Sequence, residues 1–321
     1  MGAAVTFGGG QTLNRPIVSI VICTFNRAPL LRECLRSIAT VVGRDSGVEI
    51  IVVDNKSTDE TPTVVDRSRH ELTTLRYLRE EQQGLSYARN RGLREAESDW
   101  VAYLDDDARV LAGYLERLHD WVGSGVFDCV GGVYLPWYRD GRKRWYLDQY
   151  ASNSDLSQTA GELPPRAFAT GCICLFRRDP LLAVGGFPTS LGMTGNKLGY
   201  GEETRVQVLL RERGFRIGFD PEWRIEHFTP VSKQSIRWIL RSAYASGRDS
   251  WQTFGDRPTP VALATLARKL VTRPVLQFFR SFRQQGAWRS WRNPVLALFQ
   301  PLALTSGQLL EGLRIRLTNE S

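Results

Sequence analysis

Between residues 17 and 104, short runs of apolar and β-branched residues alternate with stretches of helical spacing. That alternation restricts the chain to βαβ units and a mainly parallel sheet, because strands buried on both faces read as continuous apolar runs and each crossover needs a helix. The runs lie at 17–23, 49–54, 74–78 and 100–104, and the helical stretches at 29–42, from near Asp59 and Glu60 onward, and at 85–96. A sheet of this kind binds ligands beyond the carboxyl ends of its strands. The first strand ends in Thr24, Phe25, Asn26 and Arg27, the second in Asp54, Asn55, Lys56 and Ser57, and the fourth in Asp105, Asp106 and Asp107. One aspartate after a strand is an ordinary turn residue. Three strand ends that bring carboxylate, amide and guanidinium groups to one edge make a polar site. Neither Gly-x-Gly-x-x-Gly nor a Walker lysine loop follows the first strand, which counts against a dinucleotide dehydrogenase and a P-loop NTPase.

In an extended segment Asp105 and Asp107 project to the same side. Two carboxylates that close repel unless a cation lies between them, so a hard divalent ion is the natural partner. The alternative is an acidic cap on a helix beginning near Val110. Glu202 and Glu203 open a further amphipathic helix, where acidic side chains either complement the helix macrodipole or supply a general base. His227 follows the strand-like segment 223–226, and its role depends on whether it meets the aspartates.

Beyond Gly131 the βα rhythm breaks. Residues 134–165 are mixed and aromatic, with Trp137, Tyr138, Trp145, Tyr146 and Tyr150 among basic side chains, a set suited either to stacking on sugars or to a core. Residues 167–177 predict another strand and 203–213 a helix. The five cysteines are odd in number, sit mostly in apolar runs and lack zinc-site spacing, so buried, reduced thiols of a cytosolic protein are expected. Residues 1–15 read as a flexible leader without the basic and apolar regions of a secretory signal.

Several ordered segments resemble the inverting glycosyltransferases of family 2, which have the GT-A fold. These are VSIVICTFNR, IIVVDNKSTDET, GLSYARNRGL, WVAYLDDDA, the GGF at 185–187, GYGEETRVQVLLRERGFRIGF and the late EHF. The resemblance implies an α/β architecture: a mixed, mainly parallel sheet flanked by helices over 16–230, with a Rossmann-like nucleotide-sugar half at 16–107 and an acceptor half at 108–230. It implies donor contacts from Thr24, Phe25, Asn26, Arg27, Asp54, Arg89, Asn90, Asp105 and Asp106, with Asp54 on a pyrimidine base edge. It implies Mn²⁺ or Mg²⁺ held by Asp107 and Asp105, with His227 as a further metal or phosphate contact. Glu203 is implied as the base, with Glu202 beside it, where the family more often has Glu-Asp. A UDP- or dTDP-sugar is the favoured donor, with a GDP-sugar left open.

Hydrophobic residues make up 42% of the chain and charged residues 24%, an ordinary globular balance, but the formal charge of +8 is uneven. Residues 231–321 hold 14 Lys and Arg against 4 Asp and Glu, whereas the preceding part holds 28 against 30. Within this basic region Ile236, Ile239, Leu240, Ala243, Tyr244 and Trp251 alternate with arginines. A second stretch, through Phe282 and Arg283, and the pair Trp288 and Trp291 precede an uncharged segment at 293–310. Basic amphipathic helices with tryptophans suit an anionic membrane surface. The segment 293–310 holds two prolines and several polar residues, so it is expected to be interfacial or re-entrant rather than spanning. The alternative is a helical subdomain packing on the body or on another subunit of a homo-oligomer. Nucleic acid is not expected as a partner, because the body is slightly acidic and carries no nucleic-acid motif. These features together predict a cytoplasmic enzyme at the inner membrane face that passes a sugar to a lipid-linked or growing glycan acceptor. A nucleotidyltransferase or a non-catalytic sugar-nucleotide scaffold is the alternative.

Overall fold

A computed structural model describes residues 15–43, 46–281 and 290–319. The expected leader, apart from Arg15, and Phe282, Arg283 and Trp288 lie outside the described residues. The chain begins β1 (Val18–Thr24), α1 (Ala28–Ala39), β2 (Val48–Asp54), α2 (Thr61–Ser68), β3 (Leu75–Arg79), α3 (Leu85–Glu95) and β4 (Trp100–Asp105). It continues with β5 (Ala108–Val110), α4 (Tyr114–Ser124), β6 (Cys129–Trp137), β7 (Gly161–Glu162), β8 (Ile173–Arg177), α5 (Arg178–Ala183), α6 (Glu202–Glu212) and β9 (Ile217–Phe228). Three long helices end it: α7 (Ile236–Phe254), α8 (Pro260–Ser281) and α9 (Arg292–Asn319).

The sheet runs β3-β2-β1-β4-β8-β6-β9-β5, with β7 paired to β9. Strands β1 to β4 are mutually parallel, and β8 joins β4 antiparallel. Strand alternation sends Ile20, Ile22, Ile50, Val52, Ala102 and Leu104 to one core, where they meet α1, α2 and α4. Val21, Ile51, Val53, Val101 and Tyr103 face the other core, against α3, α5 and α6. Cys172 and Cys174 fall on opposite cores, and all five thiols are free.

Two sequence expectations are corrected. Residues 108–110 do not begin a helix: they form β5, which pairs antiparallel with Ile225–His227 of β9, so the aspartates occupy a strand-to-strand turn rather than a helix cap. The strand expected at 167–177 begins only at Ile173. The Gln207 side chain takes both backbone groups of Ala169, accepting its N–H at 2.8 Å and donating to its carbonyl at 2.9 Å, in place of a neighbouring strand.

The aromatic segment resolves as core. Tyr146 is buried with Ile239 and Leu296, ringed by Tyr138, Trp145 and Tyr150, which anchors α7 and α9 to the body. Helix α9 lies along α7 at very short range: a Cβ on Gly247 would meet the Leu304 carbonyl at 1.9 Å, and one on Gly307 the Tyr244 carbonyl at 2.2 Å. The segment 293–310 is thus continuous helix with one face packed on protein. No helix among the described residues is long and apolar enough to cross a membrane.

Candidate active site

The β4–β5 turn and the last residues of β9 build one cluster. Ala108 stands opposite His227, and the Phe228 N–H donates to the Asp107 carbonyl at 2.9 Å. That register puts His227 Nε2 3.0 Å from Asp107 Oδ1 and 3.4 Å from Asp105 Oδ2. Asp106 turns the other way. It accepts from the Thr24 hydroxyl at 2.7 Å and from Arg27 Nη1 at 3.0 Å, and the same guanidinium reaches Asp107 Oδ2 at 3.1 Å. The end of β1 therefore holds the acidic turn in place. Thr24 is spent on that task, whereas Phe25 is half-buried and Asn26 exposed at the rim.

The electrostatics follow from three crowded carboxylates, of which Asp106 and Asp107 are buried. Burial pushes Asp106 up to about 6; Arg27 opposes the rise and Asp107 adds to it. Asp107 stays well below the usual range, because His227 and Arg27 outweigh its burial. Burial lowers His227, but the Asp107 and Asp105 carboxylates reverse this and raise it to about 9.

Asp107 Oδ1 is buried and no donor hydrogen is aligned on it. One ligand atom from each of Asp105, Asp107 and His227 lies within 4.8 Å of the others. Two hard oxygens and one imidazole nitrogen converging on a buried, unsatisfied lone pair fit a divalent cation of the Mn²⁺ or Mg²⁺ type.

Helix α6 closes the opposite side. Arg89 on α3 is buried and donates from Nη1 to Glu202 Oε1 at 2.9 Å and from Nη2 to the Gly171 carbonyl at 3.3 Å. Its Nη2 also lies 3.6 Å from Asp105 Oδ1, so one guanidinium links the metal-type cluster to the start of α6. Burial, reinforced by Glu203 and opposed by Arg89, raises Glu202 to about 8. Glu203, one position on, is partly exposed. The two glutamates are thereby distinguished: Glu202 is a buried anchor, and Glu203 is the accessible carboxylate.

Asp54 and Asn90 sit outside this cluster. Asp54 is fully buried and accepts from the Ser57 N–H at 2.7 Å, the Tyr77 hydroxyl at 2.6 Å and Arg79 at 3.4 Å. It shapes the loop after β2, in which Lys56 takes a left-handed backbone angle (φ 68°), as Asn26 does in the neighbouring loop after β1 (φ 53°). The Asn90 amide is committed to the Phe187 backbone, donating at 2.7 Å and accepting at 2.8 Å.

The family model of glycosyl transferase family 2 matches residues 19–185. The chain belongs to this family. It is 29% identical over 245 residues to the succinoglycan biosynthesis protein ExoM of Rhizobium meliloti (strain 1021), covering 75% of this chain and 76% of ExoM. It is 34% identical over 122 residues to the GalNAc(5)-diNAcBac-PP-undecaprenol beta-1,3-glucosyltransferase of Campylobacter jejuni, covering 37% of this chain and 39% of that one. Among solved structures, mannosyltransferase PcManGT from Pyrobaculum calidifontis in complex with GDP-Man and Mn²⁺ superposes with a TM-score of 0.60 at 21% identity, covering 96% of this chain and 88% of its own. That likeness shows the GT-A fold. The protein is a glycosyltransferase, which sets aside the nucleotidyltransferase and scaffold alternatives.

Sequence reading missed several residues of this family 2 site. Tyr77 and Arg79 fix Asp54; the Asp54–Arg79 pair follows from the β2–β3 register, which apolar runs do not specify. Tyr134 packs edge-on against the His227 ring, with centroids 5.8 Å apart.

Proposed function

We propose that this glycosyltransferase moves a sugar from a nucleotide-sugar donor to a hydroxyl of a lipid-linked or polysaccharide acceptor, with inversion at the anomeric carbon. The convergence of Asp105, Asp107 and His227 around an unsatisfied buried oxygen carries the reading. These three would hold a divalent cation, which when bound neutralises charge on the leaving nucleoside diphosphate. Arg27 and Thr24 keep Asp106 and Asp107 oriented, so the acidic turn does not rearrange when the donor enters. Asp54 acts by fixing the 54–58 loop beneath the nucleobase rather than through a free carboxylate. Glu203 accepts the proton of the attacking hydroxyl, a contribution of roughly 10²–10⁴-fold for a positioned base. One base acting opposite the leaving group inverts the configuration, and no covalent nucleophile is needed.

The acceptor is proposed to lie at an anionic membrane surface on the cytoplasmic side. Val271, Leu276 and Phe279 of α8 and Leu310, Leu313 and Leu317 of α9 are exposed apolar side chains in the region that carries 14 basic against 4 acidic residues. Apolar insertion with nearby Lys and Arg suits such a surface.

Binding and hydrolysis of UDP-, dTDP- and GDP-sugars, with and without Mn²⁺ or Mg²⁺, test the donor reading. Metal-dependent binding of one nucleotide class supports it; no binding under any condition overturns it. Failure of the full chain to float with phosphatidylglycerol vesicles overturns the membrane part.

A further inference from the structure

Helix α7 carries Arg237, Arg241 and Tyr244 exposed along one face, with Arg248 half-buried a turn further on. Lys197, on the loop leading into α6, faces this stripe across a groove of about 450 Å³ lined by Asn196, Lys197, Leu198, Arg241, Tyr244 and Arg248 among others, with no carboxylate in its wall. A second groove of about 260 Å³ adjoins it and shares Lys197, Leu198 and Arg248. Arg248 is paired with Asp249 at 2.7 Å. Lys197, Arg237 and Arg241 meet no carboxylate at ion-pair distance among the described residues, and like charges one helical turn apart oppose α7 rather than support it. No carboxylate lines the first groove, which leaves its cationic wall open to an anionic ligand.

The groove wall is physically continuous with the proposed base. The Tyr200 hydroxyl lies 2.8 Å from Ser242 Oγ, next to Arg241, and the Tyr200 N–H donates to Asp249 Oδ2 at 3.0 Å. Arg248 Nη2 donates to the Leu198 carbonyl at 2.8 Å. Tyr200 is followed by Gly201 and then by Glu202 and Glu203 at the start of α6.

We propose that this groove binds the diphosphate group through which an acceptor glycan is joined to its lipid carrier, with Lys197 and Arg241 neutralising the phosphates. Lysine grips phosphate as a flexible point charge, and the arginine guanidinium offers a planar fork for bidentate contact. Tyr244 presents an aromatic body with a polar tip, suited to the boundary between a phosphate and an isoprenoid chain. The inference rests on the acceptor class proposed above and names where its charged link sits. The same chemistry is offered by anionic lipid headgroups, so the test separates the two sources.

The full chain is titrated with geranyl diphosphate and inorganic pyrophosphate in EDTA, which keeps the metal-dependent donor site out of the signal, and is mixed separately with phosphatidylglycerol vesicles. Each measurement is repeated on Lys197→Glu/Arg241→Glu and on a charge-matched control, Arg67→Glu/Arg166→Glu, whose two arginines are exposed elsewhere. The expected result is geranyl diphosphate binding to wild type and control, weakened about ten-fold or more in the groove variant. Three results overturn the proposal: no geranyl diphosphate binding by wild type, equal binding by all three proteins, or a groove-dependent signal confined to the vesicles. Donor binding with metal, measured on the same samples, reports separately on the transferase reading.

Discussion

Arg89 and Glu202, 113 residues apart in sequence, form a buried ion pair at 2.9 Å that joins the nucleotide-side helix α3 to the first turn of α6. Removing Arg89 leaves an ionised Glu202 buried and uncompensated, whereas without Glu202 the guanidinium keeps Asp105 at 3.6 Å and the Gly171 carbonyl at 3.3 Å. Above pH 8, where Glu202 is ionised, Arg89→Met is therefore expected to destabilise the fold by about 3–5 kcal/mol, while Arg89→Met/Glu202→Leu recovers a large share of that loss. Urea denaturation of the two single variants and the double variant checks this. Additive losses would mean that the pair is not the coupled unit described here.

The buried Glu202 carboxyl also makes stability depend on pH. Glu202 is raised from an ordinary 4.5 to about 8 in the folded chain, mainly by burial. Between those values the folded state holds a proton that the unfolded state has released. The stabilising contribution is thus complete below the unfolded value and is lost as pH rises through the folded one. The expected slope is at most about 1.4 kcal/mol per pH unit, falling toward pH 8. Glu202→Gln should flatten it. Denaturation midpoints measured in EDTA across this window decide the matter, and an unchanged slope in the variant assigns the titration to another group.

Asp107→Asn keeps the shape of the side chain but removes a charge from the cluster that His227 and Arg27 face. Affinity for Mn²⁺ should drop by about 100-fold or more, a loss at least as large as that from mutating outer-shell partners. Ion titration by electron paramagnetic resonance gives the affinity, and circular dichroism establishes that the fold survives. Undiminished Mn²⁺ binding would place the ion elsewhere.

Glu203→Gln removes the proton acceptor while keeping the α6 terminus. The turnover number should fall by about 10²–10⁴-fold with the donor KM nearly unchanged. Steady-state kinetics over donor concentration separate the two. A rise in KM at constant turnover would identify Glu203 as a donor-binding group instead.

The order of elements from β1 to β4 and the location of the acidic residues after β4 were legible in the sequence, because an apolar run or a helical spacing is a local pattern set by burial. The helices of the C-terminal region were legible for the same reason. What only the tertiary structure decided was which residues meet. The antiparallel β5–β9 register carries His227 to Asp107, across 120 residues that no periodicity links. The division of labour between Glu202 and Glu203 arises because α6 turns one carboxylate toward buried Arg89 and leaves its neighbour accessible. The aromatic segment around Tyr146 became core because α7 and α9 pack on it. A sequence records the hydrophobic pattern of each element; distances between polar groups depend on strand register and helix packing, which long-range contacts alone determine.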